Sequence, residues 1–374
     1  MCNKRVLILA NSDNGLYNFR RELLKELINP GSYLTERKDL PMDVYIAVPK
    51  GTRVSDLQEM GCHYIQISLK RHGKNPFQEI KLRNQYKKII SEVKPDIVFS
   101  YTIKPNIYGG MVCKELKVPC IMNITGLGTA IESDGLMQKF MLMLYKFALP
   151  GAKKVFFQNS ENERFFTDHK LALGKHEILP GSGVNLEAFS YLPYPKEEGK
   201  IIFLSVMRIM KDKGIKELLA CAKEIKSRYD NAEFHIIGSY DEEKYRIEVE
   251  EAEKLGFVRF LGRQNDMRSQ YKKYHCIINP SYHEGMSNVL LEAAACGRPV
   301  IASNVPGCAE TFDEGVSGFG FEVKNTDALI SCVEKFLVLS LKERIQMGLA
   351  GRKKVEREFD RQIVVSRYIK ELHN

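Results

Sequence analysis

The 374-residue sequence has no run of ~18 uncharged apolar residues, the length a helix needs to cross a bilayer, so no spanning helix is expected. Its start, Met1-Cys2-Asn3-Lys4-Arg5-Val6, passes straight into a strand pattern without the apolar stretch of a signal peptide. The expectation is a cytoplasmic protein, or one peripheral at the inner face of the cytoplasmic membrane. Nine cysteines are scattered without a C-x-x-C pair. Their odd number and wide spacing argue against a disulfide framework or a zinc site and favour reduced thiols. There is no internal repeat and no low-complexity tract.

Positive charge is concentrated in one half. Residues 1–185 hold 27 Lys and Arg against 18 Asp and Glu, whereas residues 186–374 hold 29 of each, so the first half carries the whole formal net charge of +9. Such one-sidedness points to nucleic acid, an anionic membrane surface or a diphosphate-linked acceptor, with a mildly basic solvated surface as the plain alternative. Nucleic acid fits least, because no interleaved aromatic-basic motif accompanies the charge. Within the basic half, Leu69-Lys70-Arg71-His72-Gly73-Lys74-Asn75-Pro76-Phe77 precedes a helix adding Lys81, Arg83, Lys87 and Lys88. Phe140 to Leu149 is too short to span a membrane. It reads either as a buried, Met-rich core helix or as a segment lying in the membrane interface.

Single hydrophobic cores rarely grow past ~250–300 residues, so this length predicts two domains. Short β-rich runs alternate with helical periodicity throughout, the pattern of α/β proteins with parallel sheets. Residues 190–200 read Ser-Tyr-Leu-Pro-Tyr-Pro-Lys-Glu-Glu-Gly-Lys, polar and proline-bearing without periodicity, which is a linker pattern. The expected plan is a Rossmann-like doubly wound domain over 1–189, the linker, and a second over 201–359. The two would face an interdomain cleft.

The most informative segment is His283-Glu284-Gly285-Met286-Ser287-Asn288-Val289-Leu290-Leu291-Glu292, followed by Cys296-Gly297-Arg298-Pro299. Before it, Cys276-Ile277-Ile278-Asn279-Pro280 reads as a buried parallel strand ending at the proline. A helix should then begin near Ser287 or Asn288, either of which can cap it. Positions eight apart on a helix differ by about 80° in azimuth, so Glu284 in the loop and Glu292 inside the helix must do different jobs. Between them the amides of Gly285 to Asn288 form a helix N-terminus suited to phosphate. A bare E-x7-E spacing means little; the strand, glycine, amides and Gly297-x-Pro299 stop give it weight.

This segment resembles the E-x7-E signature of the family 4 glycosyltransferases, which are retaining enzymes of the GT-B fold. The likeness runs along most of the chain. It includes Arg208-Ile209-Met210-Lys211-Asp212-Lys213-Gly214, similar to the family's R-x4-K-G donor-phosphate segment, and Val258-Arg259-Phe260-Leu261-Gly262. Asn123-Ile124-Thr125-Gly126-Leu127-Gly128 and Val155-Phe156-Phe157-Gln158-Asn159 resemble the bacterial branch that builds surface polysaccharides and lipid-linked oligosaccharides. The resemblance implies that a helix over 360–374 crosses back to the first domain, which would bind the acceptor, while the second binds the nucleotide sugar.

Breaking the bond between a sugar and UDP places negative charge on the diphosphate, which a cation or metal must absorb. No D-x-D triplet occurs in the sequence, so Arg208 and Lys213 are expected to meet the β-phosphate and no metal is assigned. Arginine offers a two-pronged fork and lysine a compact charge; Lys211 is read as exposed. His283 and Glu284 would touch the donor sugar, Glu292 the ribose, and Gly285, Met286, Ser287 and Asn288 the diphosphate. After the first strand, Asn14 and Gly15 occupy a loop where relatives often have a Gly-Gly pair. Here one glycine stands, read either as the diphosphate's approach or as a plain turn. Thr125 and Gly126 fall where many relatives place a catalytic histidine, Thr125 or a backbone group takes that position, and Asn14, Thr125 and Gly126 are read as the acceptor side.

The activity that the resemblance implies is retaining, metal-independent transfer of a hexose or N-acetylhexosamine from a UDP-sugar to a saccharide acceptor on a lipid-diphosphate carrier, in surface polysaccharide or glycan biosynthesis. No cofactor is implied. The rivals are a UDP-sugar 2-epimerase or hydrolase of the same two-domain plan, and a basic nucleic-acid-binding protein.

Overall fold

The computed structural model describes residues 3–35, 39–69, 76–126, 135–196 and 199–373. Residues 70–75 of the basic loop, together with Leu127 and Gly128, lie outside them. The chain divides into two compact units, residues 1–182 with 361–374, and residues 183–360.

The first unit is built on β1 (Arg5–Leu9), β2 (Asp43–Val48), β3 (His63–Gln66), β4 (Ile97–Tyr101), β5 (Cys120–Ile124), β6 (Ala152–Phe157) and β7 (His176–Ile178). They form a parallel sheet ordered β3-β2-β1-β4-β5-β6-β7. Alternation along each strand supplies two cores. Leu7, Leu9, Val98 and Met122 enter one cluster, and Val6, Ile8, Ile97, Phe99 and Ile121 the other. On the second face the Asp13–Ile28 helix packs beside the Arg361–His373 helix, through Leu16, Leu23, Leu24 and Leu27 and through Val364, Val365, Tyr368 and Ile369. Arg361 and Glu22, both almost fully buried, are joined at 2.6 Å.

The second unit repeats the plan with β8 (Ile201–Ile209), β9 (Ala232–Tyr240), β10 (Arg259–Phe260), β11 (Cys276–Asn279), β12 (Val300–Ser303) and β13 (Gly318–Phe321). The order is β10-β9-β8-β11-β12-β13, again parallel. In each sheet the strand order reverses once, between β1 and β4 and between β8 and β11. Loops at the carboxyl ends of those strands diverge there, which is where such sheets bind ligands.

Residues 190–200 are no free tether where described. Leu192 is buried, and the wholly buried Arg298 donates from Nη2 to the carbonyls of Leu192 and Pro193 at 3.1 and 2.6 Å. Tyr194 donates to the carbonyl of His275 at 3.1 Å. The segment is a strap on the second unit, held by an arginine about a hundred residues later.

Candidate active site

Three loops meet at the carboxyl edge of the second sheet. The first follows β8, where Lys211–Lys213 make one tight turn closed by Gly214 in the left-handed region, φ +69°. A Cβ on Gly214 would stand 2.1 Å from the carbonyl oxygen of Pro280, so glycine is required for this turn to lie against the end of β11. The second loop follows β11 and is stitched to the first by Tyr282 N–H donating to Asp212 O at 2.8 Å. This contact brings Lys213 to Glu284: Nζ lies 2.5 Å from Oε1, with both side chains mostly buried.

Beneath the pair lies a buried polar anchor. Asn279 Nδ2 donates to Ser287 Oγ at 2.7 Å, and Asn279 Oδ1 accepts from Ser281 N–H at 3.2 Å. Ser281 Oγ is 2.6 Å from Asn279 Oδ1 and 2.9 Å from Glu284 Oε1, so its one proton serves either acceptor. Ser303 Oγ, at the end of β12, donates to Ser281 O. The third loop, after β12, contributes Gly307, whose carbonyl accepts from Ser287 N–H at 2.7 Å. Gly307 has φ +78°, and a Cβ there would stand 2.7 Å from the carbonyl oxygens of both Glu284 and Gly285.

Gly307→Ala is therefore expected to cost about 1–2 kcal/mol in stability from the left-handed backbone alone. Displacing the Glu284 loop should lower kcat/KM by roughly 10²-fold, since about 1 Å of misplacement has that effect. Thermal unfolding and initial rates on the same preparation check both.

The helix predicted after this loop runs over Asn288–Ala295 with Ser287 as its N-cap residue, but Ser287 makes no side-chain cap. Its hydroxyl is committed to Asn279 and its amide to Gly307, so two groups expected to face a ligand are structural. Met286 is likewise buried, in a cluster with Val184, Leu291, Ala294, Val355 and Phe359. The side chains of Met286 and Ser287 thus anchor the loop, and it is the first-turn amides, from Asn288 onward, that have no carbonyl one turn earlier. His283 is exposed and Glu284 half-buried. Glu292 Oε2 lies 3.3 Å from the hydroxyl of Tyr271, whose ionisation is pushed well up by burial and by Glu292; that tyrosine donates and fixes the carboxylate.

Arg208 lies inside β8, in register with Ser239. Its guanidinium pairs with Asp241 Oδ2 at 2.8 Å, on a partly exposed edge. Among the described residues no group of three or more His, Cys, Asp or Glu is placed to hold a metal ion.

In the first unit, Asn14 and Gly15 belong to the first turn of the Asp13–Ile28 helix, capped by Ser12 Oγ accepting from Gly15 N–H at 3.2 Å. A Cβ on Gly15 would meet nothing closer than 3.7 Å, so packing within the unit does not demand glycine there. The neighbouring Asp13, missed from sequence, is buried and accepts from Arg53 N–H at 2.7 Å. Its carboxylate fills the place a Cβ on Gly51 would take, and so ties the loops after β1 and β2 together. Thr125 and Gly126 follow β5, half-buried, with Gly126 at φ +150°.

Residues 6–159 match the family described as Glycosyl transferase 4-like, and residues 193–354 the family described as Glycosyl transferases group 1. The chain belongs to the family 4 glycosyltransferases. A relative of this glycosyltransferase, N,N'-diacetylbacillosaminyl-diphospho-undecaprenol alpha-1,3-N-acetylgalactosaminyltransferase of Campylobacter jejuni, is 27% identical over 98% of this chain and 97% of its own. Another, UDP-Gal:alpha-D-GlcNAc-diphosphoundecaprenol alpha-1,3-galactosyltransferase of Escherichia coli, is 26% identical over 66% of this chain and 67% of its own. The structure of Alr3699/HepE from Anabaena, a complex with UDP and glucose, superposes with a TM-score of 0.80 at 13% identity over 100% of both chains. The glycosyltransferase has the GT-B fold and transfers a sugar, which sets aside the epimerase and nucleic-acid alternatives.

Proposed function

We propose that this glycosyltransferase moves a hexose or N-acetylhexosamine from a UDP-sugar to a saccharide carried on a lipid diphosphate, with retention and without a metal ion, in surface polysaccharide or glycan assembly. The observation that carries the reading is the Lys213–Glu284 pair at the carboxyl edge of the second sheet, beside the Asn288–Ala295 helix N-terminus. A lysine has three N–H donors. One directed at Glu284 holds the ammonium in place and leaves two for phosphate oxygens.

The donor diphosphate then lies across Lys213, Arg208 and the first-turn amides of the helix, where Gly285 and Asn288 contribute backbone and Glu292 takes the ribose. His283 and Glu284 take the sugar hydroxyls. As the sugar–oxygen bond breaks, its electron pair goes to the β-phosphate, whose charge the two cations and the helix dipole absorb. The acceptor hydroxyl attacks from the same side, its proton passing to that phosphate oxygen. No nucleophilic carboxylate enters this route. Gly15 is assigned to the donor diphosphate, and Asn14, Thr125 and Gly126 to the acceptor. A glycine in a helical first turn without a packing reason costs up to about 1 kcal/mol, which supports a ligand at Gly15.

Two features support work at the cytoplasmic membrane surface: the acceptors named for the Campylobacter and Escherichia relatives, and the basic excess of residues 1–185. Among the described residues no helix is long and apolar enough to cross a membrane.

A panel of UDP-sugars tests the reading by thermal unfolding. The cognate donor at ~100 times its Kd should add about 2.7 kcal/mol of stability, and Glu292→Ala should remove most of that gain. No stabilisation by any UDP-sugar, or by UDP, would overturn it.

A further inference from the structure

The Leu136–Ala148 helix has two apolar faces, and the protein covers one of them. Met141, Leu142, Leu144, Tyr145 and Ala148 pack into the first unit's core. Leu136, Phe140, Met143 and Phe147, spaced i, i+4, i+7 and i+11, fall within an arc of about 60° on the other side. They are 87, 50, 46 and 55% exposed. Lys139 and Lys146, both exposed, run along one flank, and the helix contains no acidic residue. The Pro76–Val93 helix packs into the same core on the same side of the sheet and exposes Phe77 and Ile80, with Lys81 and Lys88 exposed along it.

A contiguous exposed apolar stripe on a stable helix marks a contact surface. We propose that the Leu136–Ala148 helix lies on an anionic lipid surface, with Leu136, Phe140, Met143 and Phe147 entering the headgroup–acyl boundary and Lys139 and Lys146 meeting acidic headgroups. An apolar stripe with lysines at its margin and no acid is the composition of an interfacial helix. A second copy of this chain fits less well, because two-fold pairing of the stripes sets lysines against lysines without a carboxylate on the helix to answer them. The inference rests on the lipid-linked acceptor reading, which requires a bilayer beside the enzyme.

Flotation of the full chain with vesicles tests it, comparing wild type with Phe140→Ser/Phe147→Ser and with Lys139→Gln/Lys146→Gln. Wild type should float with phosphatidylglycerol-containing vesicles and much less with pure phosphatidylcholine. Both double variants should partition about tenfold or more weakly, with unchanged circular dichroism. The serine variant should still glycosylate a water-soluble, short-lipid acceptor at the wild-type rate while losing transfer to an acceptor embedded in vesicles. Wild-type flotation of the serine variant would overturn the proposal. So would a concentration-dependent dimer that the serine variant abolishes without altering flotation. If wild type glycosylates neither acceptor, the acceptor reading fails, and flotation alone still decides the role of the helix.

Discussion

Lys213→Ala should lower kcat/KM by roughly 10²–10³-fold, the usual loss when one preorganised donor to developing negative charge is removed. The ammonium has two partners to lose. It is 2.5 Å from Glu284 in a mostly buried position, and it is assigned to the leaving diphosphate. Removing it leaves the Glu284 carboxylate without its cation as well as leaving the phosphate charge less neutralised. Lys213→Arg should recover part of the rate, because charge is kept while the compact geometry is not. Glu284→Gln should abolish transfer with folding intact, the amide still accepting a hydrogen bond but no longer carrying charge. Steady-state kinetics with unfolding curves for each variant checks this. Turnover at the wild-type level in Glu284→Gln would remove Glu284 from the mechanism.

Arg361→Ala should destabilise the first unit by about 3–5 kcal/mol, the range for stripping one partner from a buried ion pair. Arg361 Nη1 donates to Glu22 Oε2 at 2.6 Å and to Asn18 O at 3.2 Å, and Nε reaches Ser182 O at 3.2 Å. The side chains are 5% and 3% exposed, so water offers little replacement. Glu22, itself buried, would lose its buried partner and keep the more exposed Arg21, whose Nη2 lies 3.2 Å from Oε1. The double variant Glu22→Gln/Arg361→Met should recover much of the loss, since apolar or neutral replacement of both members removes that charge. Urea unfolding of the full chain, followed by a probe in the first unit, measures both changes. Equal loss in single and double variants would show that packing, and not charge, dominates at this point.

Much of the architecture is legible in the sequence because strands buried on both faces leave short apolar runs. Cys276–Asn279 falls where its apolar run places it, ending just before Pro280. Departures arise where a polar residue belongs to an element for reasons distant in sequence. Arg208 ends the apolar run by composition, yet β8 continues through the buried Met207 and Ile209 because Asp241 partners the arginine. The first helix begins at Asp13 and takes in Asn14 and Gly15, expected in a loop, because Ser12 caps it. Residues 190–200 carry linker composition, and the packing of Leu192, Pro193 and Tyr194 comes from the distant Arg298 and His275.

The candidate site divides along the same line. Glu284, Glu292 and Lys213 stand out through their local pattern, although Lys213 and Glu284 are 71 positions apart and meet only because β8 and β11 are neighbours in the sheet. Asn279, Ser281, Ser303 and Gly307 carry no such pattern. Their roles follow from buried hydrogen bonds and one close backbone approach, and neither is visible in spacing.

The first unit is discontinuous, and this imposes an order on biosynthesis. Glu22 leaves the ribosome 339 residues before its partner Arg361. At ~5–20 residues per second, that interval is about 20–70 s. Meanwhile residues 183–360 emerge as one uninterrupted stretch able to fold before the Arg361–His373 helix is synthesised. The nascent chain must therefore keep the apolar surface awaiting Val364, Val365, Tyr368 and Ile369 uncovered until those residues emerge.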